Sequence, residues 1–382
     1  MGSKTKIAFV LTWMSIGGQE RALLEMLKHI DFNKIDVTLY LYDRGGGFEN
    51  QVPSEVHLKT IPRVQFSSFF SHPICVVKRY VIGGLAIALG KCFHKNARNY
   101  KYFSNAFLPI KEKFDYVILY DSFFLTKIPF VLTKFKESKK VFWLHGEVKN
   151  HFINSDIIRH LYEFDKIFAV SSVVAKQLVD VRPELKDKTE VFYNYMDVKS
   201  IKEKSYNGES FQDHYNGQRI LTVGRISAEK GQDLAVLACK KLIDAGYNIR
   251  WYACGAGDIF ENIKQLIIDN NLENDFILMG AKENPYPYMK DCDLYVQPSK
   301  SESWGLSVQE ALILGKPVIV TNVGGLHEVV EYGKNGYIVD KSVDAIYEKV
   351  KWCLDNPQQV QKLCENIKNI EFKQEDINRL FF

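Results

Sequence analysis

Apolar residues fall along this chain in two recurring patterns. Short, nearly unbroken apolar runs occupy 6–11, 36–42, 114–120, 141–144 and 166–170, then 219–223, 248–253, 276–279, 293–297 and 317–321. Runs of that length bounded by turn residues read as strands buried on both faces. Between them apolar residues recur three and four apart. Ala22, Leu23, Met26, Leu27 and Ile30 form one such stripe, and Leu234, Leu237, Ala238 and Leu242 another. Strand and helix therefore alternate, which predicts parallel sheets in an α/β protein. The stretch 198–218, rich in Lys, Ser, Asn and Gly, interrupts the alternation and reads as a linker. It separates a first domain over 1–197 from a second over 219–365, and amphipathic segments from 343 onward suit a helical end. A chain of 382 residues is long enough for two such cores.

In open parallel sheets ligands bind at the carboxyl ends of the strands, so chemistry is sought in the loops that follow them. After the first strand comes Gly17-Gly18, a strand-to-helix turn whose backbone can touch a ligand, although a tight turn needing glycine explains it equally well. It is not a dinucleotide fingerprint, because Gly-x-Gly-x-x-Gly is absent. His145 ends another strand, where an isolated histidine can equally be structural. In the second domain Gly224-Arg225 and Lys230-Gly231 flank a strand-to-helix loop. Arginine offers a two-pronged fork to phosphate oxygens and lysine a point charge. Gly255-Ala256-Gly257 lacks a third glycine and is weak evidence for a nucleotide.

The stretch that organises the second domain is 301–312, Ser-Glu-Ser-Trp-Gly-Leu-Ser-Val-Gln-Glu-Ala-Leu. It follows an apolar run ending in Gln297-Pro298-Ser299 and opens a helical pattern that stops at Gly315-Lys316-Pro317. Ser303 reads as its N-cap, and Gly305 permits close approach to the first helical amides. Those amides, at Trp304, Gly305 and Leu306, suit a phosphate. Glu302 precedes the helix and Glu310 lies inside it. Two solvated glutamates on an amphipathic helix are the plain alternative.

Glu302 and Glu310, with this context, resemble the Glu-x7-Glu signature of the retaining glycosyltransferases of family 4. The Gly17-Gly18 turn, His145 and Arg225-x4-Lys230 occur in the order of that family. The resemblance implies a GT-B fold: two doubly wound, Rossmann-like domains facing a cleft, with the segment 366–382 returning as a helix to the first domain. It implies sugar transfer with retention from a nucleotide-sugar, expected to carry uridine diphosphate, to a lipid-linked or glycan acceptor in cell-surface polysaccharide synthesis. Arg225 and Lys230 would hold the diphosphate, Glu310 the ribose, and Glu302 with Ser303 and the amides of 304–306 the donor sugar. His145 would line the sugar pocket and Gly17-Gly18 the acceptor and diphosphate loop. Residues 193–197 depart from the family's Asn-Gly-Val-Asp turn, because Tyr195 replaces the glycine. A nucleotide-sugar epimerase of the same fold, or a non-catalytic nucleotide-sugar-binding partner, is the alternative.

No cofactor is expected, and no metal. Asp291-Cys292-Asp293 imitates a metal-binding Asp-x-Asp, but it immediately precedes a strand, where the family often has Ala-Asp. The seven cysteines are scattered without a Cys-x-x-Cys pair, which argues against both a disulfide scaffold and a zinc site and suits a reducing cytoplasm. Charge changes the picture once more. Residues 1–198 carry a net +8 and the remainder −4. The excess concentrates in 59–113, where ten Lys and Arg face one Glu among interspersed Phe and Tyr. No nucleic-acid motif accompanies these cations. Basic residues flanking aromatic ones suit an anionic membrane surface, so a cytoplasmic protein peripheral on the inner face of the membrane is expected. The apolar run 81–89 is too short to span a bilayer.

Overall fold

The computed structural model describes residues 4–63, 107–121, 127–148, 158–372 and 375–381. The chain divides into two compact units, one formed by Met1–Asn194 with Asp376–Phe382 and the other by Tyr195–Glu375. Each is built on one wholly parallel sheet.

Unit 1 holds strands β1 (Thr5–Leu11), β2 (Ile35–Leu41), β3 (His57–Thr60), β4 (Tyr116–Leu119), β5 (Lys139–Leu144), β6 (Lys166–Ala169) and β7 (Thr189–Val191). Their order across the sheet is β3-β2-β1-β4-β5-β6-β7. Ile7 to Leu11, Val141 to Leu144 and Ile167 to Ala169 are almost wholly buried, because parallel strands take helices on both faces. Among the helices are α1 (Gly18–Lys28), α2 (Lys127–Lys134) and α3 (Ser172–Val181), the last capped by Ser171, which accepts from Val174 N at 3.2 Å. Two strands escaped the apolar pattern. β3 and β7 are short sheet edges with exposed polar positions, so they carry no apolar run.

Unit 2 opens with α4 (Val198–Lys204), capped by Asp197 through Ser200 N at 2.9 Å. Thus 198–218, expected as a linker, begins with a helix, and Ile201 sinks into the core of unit 2. The sheet comprises β8 (Gln218–Val223), β9 (Ile249–Cys254), β10 (Phe276–Gly280), β11 (Leu294–Gln297), β12 (Val318–Thr321) and β13 (Gly336–Val339), in the order β10-β9-β8-β11-β12-β13. Alternate residues feed two separate cores, as a pleated strand requires. Ile220, Trp251, Val296 and Ile319 face α5 (Gln232–Asp244), α6 (Phe260–Asp269) and α10 (Val343–Asp355). Leu221, Tyr252, Tyr295 and Val320 face α4, α7 (Tyr286–Asp291) and α8 (Leu306–Ile313). The remaining helices are the short α9 (Leu326–Val329) and α11 (Pro357–Lys368).

The segment after α11 is not the continuous helix expected over 366–382. Helix α11 stops at Lys368, and only a single 3-10 turn, Ile377–Leu380, follows among the described residues. That turn belongs to unit 1, where Leu380 is fully buried and Arg379 donates to Val191 O at 2.9 Å.

Both sheets reverse their winding once. In unit 1 the switch lies between β1 and β4, in unit 2 between β8 and β11. Loops leaving strands at such a switch point border the crevice where folds of this kind take ligands.

Candidate functional site

The switch point of unit 2 collects most of the residues singled out above. The loop after β8 carries Arg225 and Lys230 and the loop after β11 carries Glu302. Gly231 lets the two loops meet. It has φ +68, and a Cβ on it would lie 2.0 Å from Pro298 O, so any other residue would push the loops apart. The backbones are then stitched by Lys300 N and Ser301 N, which donate to Glu229 O at 2.7 and 3.2 Å.

This junction places Lys230 Nζ 2.7 Å from Glu302 Oε2. Ser299 Oγ donates to the same carboxylate oxygen at 3.2 Å, and Gln297 Nε2 donates to Ser299 Oγ at 2.9 Å. Tyr295 OH and Ser307 Oγ in turn donate to Gln297 Oε1 at 2.9 and 3.3 Å. A chain of buried polar groups therefore runs from the middle of β11 to Glu302 and fixes its carboxylate. Arg225 is exposed, and its guanidinium makes no hydrogen bond or ion pair with any described residue. Burial pushes the Glu229 carboxyl up, but hydrogen bonds and the charges of Arg225 and Lys230 outweigh it and hold the group below its ordinary value.

Gly255 and Gly257, weak evidence for a nucleotide by spacing, have a supporting part. A Cβ on either would lie 1.9 Å from Gly224 O or 2.1 Å from Ile226 O, and Ile226 N donates to Ala256 O at 2.9 Å. The loop after β9 thus braces the backbone that presents Arg225. Sequence spacing alone does not distinguish this from ligand contact.

Helix α8 starts at Leu306, and its N-cap is Gly305 in the left-handed conformation, φ +81. Ser303, expected as the cap, is not it, and no side chain caps this end. A Cβ at Gly305 would meet Leu326 Cδ2 at 2.4 Å, so glycine is required by packing as well as by φ. One turn later Glu310 is 6% exposed and accepts from Tyr286 OH at 2.8 Å. Tyr286, on α7, was not foreseen as a partner, because nothing in its spacing links it to α8.

Asp291 and Asp293 lie at the opposite end of β11, where Asp293 Oδ2 accepts from Arg219 N at 2.7 Å. They are a strand length from Glu302, and Asp293 is engaged in tying the first residues of β8 to the start of β11. Among the described residues no three His, Cys, Asp or Glu are grouped to hold a metal ion.

Unit 1 brings its own candidates to the ends of β1, β4 and β5. Gly17 is the N-cap of α1, and Glu20 in the first turn accepts from Ser15 Oγ at 3.0 Å. His145 follows β5 and is 9% exposed. Its ring lies 4.4 Å from that of Tyr120 and stacks on Trp143 at 5.9 Å and 10°. Burial drives the His145 imidazole down to about 3, although the Asp121 charge pulls the other way. Sequence reasoning missed what lies beside it: Lys127 Nζ sits 2.5 Å from Asp121 Oδ2, with both side chains almost wholly buried.

The loops of unit 2 that carry these cations and carboxylates lie within a stretch shared with sugar-transferring proteins. Residues 210–370 match the family described as glycosyl transferases group 1. The chain carries a group 1 glycosyltransferase domain. That domain spans nearly all of unit 2 and every candidate residue in it. An uncharacterized glycosyltransferase of Methanocaldococcus jannaschii is 32% identical over 238 residues, 60% of this chain and 62% of that protein. A Campylobacter jejuni enzyme that adds N-acetylgalactosamine to a diphospho-undecaprenol-linked sugar is 26% identical over 215 residues, 55% of this chain and 57% of its own. The matches thus span less than two thirds of either relative. Anabaena HepE, solved with UDP and glucose, superposes with a TM-score of 0.71 at 18% identity, covering 95% of this chain and 94% of its own. That likeness concerns fold. Together with two parallel-sheet, Rossmann-like units it gives the chain a GT-B fold.

Proposed function

We propose that this chain transfers a sugar, with retention at the anomeric carbon, from a uridine diphosphate sugar to a lipid-linked or glycan acceptor in cell-surface polysaccharide synthesis. The observation that carries the reading is the junction of the β8 and β11 loops: an exposed Arg225, Lys230 bonded to Glu302 at 2.7 Å, and the opening of α8 beside them. Arg225 and Lys230 neutralise the diphosphate, and the fork of Arg225 takes two of its oxygens. A diphosphate arriving at Lys230 exchanges one anionic partner for another, freeing Glu302 for sugar hydroxyls. The amides at the start of α8 add partial positive charge as the diphosphate departs. Glu310 accepts from the ribose, and His145 and the Gly17-Gly18 turn serve the sugar and the acceptor from unit 1. No side chain is assigned as a covalent nucleophile, so attack comes from the face the leaving phosphate vacates, with that phosphate as base. HepE's UDP and glucose, and the undecaprenol-linked acceptor named for the Campylobacter relative, support the donor and acceptor classes.

With two cations at the junction, turnover needs no divalent metal. Among the described residues no helix is long and apolar enough to cross a membrane. Peripheral attachment to an anionic inner membrane face is part of the proposal, and the basic segment that motivates it lies largely outside the described residues, at 64–106. The test incubates the protein with a panel of UDP-sugars and lipid-linked acceptors, with and without chelator, and reads the anomeric configuration by NMR. A retained configuration and a rate unmoved by chelator are expected. Inversion, chelator-dependent loss, or interconversion of the nucleotide-sugar without an acceptor would overturn the reading, the last in favour of an epimerase.

A further inference from the structure

The strongest unexplained feature is the buried charge pair at the switch point of unit 1. Asp121 leaves β4, and a single carboxylate oxygen, Oδ2, takes Lys127 Nζ at 2.5 Å and Thr12 N at 3.1 Å. Thr12 Oγ1 also bonds both Asp121 and Lys127, so the residue after β1, the second residue after β4 and the start of α2 close one polar cluster. The side chains of Lys127 and Asp121 are 1% and 7% exposed. Burying an ammonium and a carboxylate is expensive, and an apolar pair of similar volume commonly serves stability as well. The cost calls for a purpose beyond holding the fold.

The neighbour that gives it one is His145. Its ring packs on Tyr120, the residue preceding Asp121, and its Nε2 is buried with no hydrogen-bond partner among the described residues. Four carboxylates gather at this end of the sheet: Glu20 on α1, Asp43 after β2, Asp121 after β4 and Glu147 after β5. Burial lowers the Lys127 ammonium, and the charges of Asp121, Asp43 and Glu20 oppose that lowering; it is the one cation buried among them in the described residues. Tyr120, the other titratable group against the ring, is held protonated by burial.

We infer that Lys127 is a positioning residue: by holding Asp121 and Thr12 it keeps the His145 imidazole uncharged, with Nε2 free to exchange a hydrogen bond with a sugar hydroxyl. Burial lowers the imidazole and the Asp121 charge opposes it; on our inference the ammonium bonded to that carboxylate is what limits the opposition. The effect on transfer rests on the function proposed above, but the charge on His145 does not, and the two are measured separately.

The experiment uses the full chain labelled at the imidazole nitrogens of its nine histidines, with His145→Gln to assign the signal. Between pH 5.5 and 8.5 the wild-type His145 ring should show no titration. Lys127→Met should bring its midpoint into that window, and Lys127→Met with Asp121→Asn should remove it again. Transfer by Lys127→Met should lose about tenfold in kcat from pH 7.5 to 5.5 with donor KM little changed, where the wild type stays flat. A His145 that titrates in the wild type, stays neutral in Lys127→Met, or titrates in the double variant overturns the inference. Should Lys127→Met fail to fold, Lys127→Gln, which keeps a donor to Asp121 without the charge, is read in its place: its His145 ring should titrate in the same window, and a flat ring there overturns the inference. Ring titrations as expected in a protein that transfers no sugar would leave the inference standing and sink the proposed function.

Discussion

Glu310 offers the sharpest separation between a residue that serves a ligand and one that serves the fold. It is buried, lies in α8 and accepts from Tyr286 OH at 2.8 Å. A hydrogen bond to a carboxylate is worth about 1.5–3 kcal/mol. At about 1.36 kcal/mol per decade, removing one hydrogen bond to the ribose through Glu310→Gln lowers kcat/KM by about 10- to 150-fold. Tyr286→Phe removes the internal donor but leaves the carboxylate. It should cost a similar energy in stability, a fall in Tm of about 3–12 °C for a unit of this size. Measured well below its Tm, its kcat/KM should change less than about threefold. Steady-state kinetics with varied donor and a calorimetric scan of both variants make the comparison. If Glu310→Gln matches the wild type in kcat/KM, or if both variants lose stability and turnover in parallel, the carboxylate is a structural acceptor and its assignment to the ribose is wrong.

Two further outcomes are expected. Gly231→Ala should lose at least about 1–2 kcal/mol from the left-handed backbone alone, and more from the 2.0 Å approach to Pro298 O, weakening UDP binding in calorimetry because Lys230 and Glu302 are displaced together. Asp213 concerns pH. Burial raises its carboxyl, but hydrogen bonds from Tyr252, Arg219 and Arg250 outweigh that and hold it well below the ordinary range. A depressed carboxyl contributes stability above its unfolded value, near 3.9, and loses it as pH falls through the folded value. The group stays solvent-exposed and its partners are screened, so Asp213→Asn should cost only about 0.2–1 kcal/mol at pH 7, and chemical denaturation should show the gap narrowing only below about pH 4.

The parallel sheets were legible because strands covered on both faces appear as unbroken apolar runs, and ten of the thirteen described strands coincide with such runs. β3 and β7 were not, since a sheet edge facing water can be polar, and β13 was expected only as part of a longer closing stretch, 333–339. In the site, residues tied to strand ends were readable: Arg225, Lys230, Glu302 and Glu310 all fall in or just after loops leaving β8 and β11. What could not be read were pairings between distant segments. Tyr286 with Glu310 and Lys127 with Asp121 depend on which helices the topology brings together, and no local spacing records that. Ser303 was misread as a cap because the serine rule ignores glycine's access to the left-handed conformation, which Gly305 uses.

The turn Ile377–Leu380 has a consequence for how the molecule is made. Unit 1 takes Asp376–Phe382 into its own body, yet all of unit 2 lies between that segment and Asn194. A ribosome delivers residues in order, so the nascent first unit waits, without Leu380 in its core, through the synthesis of some 180 residues of the second. Unit 2 is contiguous and can fold as soon as it emerges. The half that starts first is therefore the half that finishes last, and the emergence of Leu380 is the earliest moment at which it is whole.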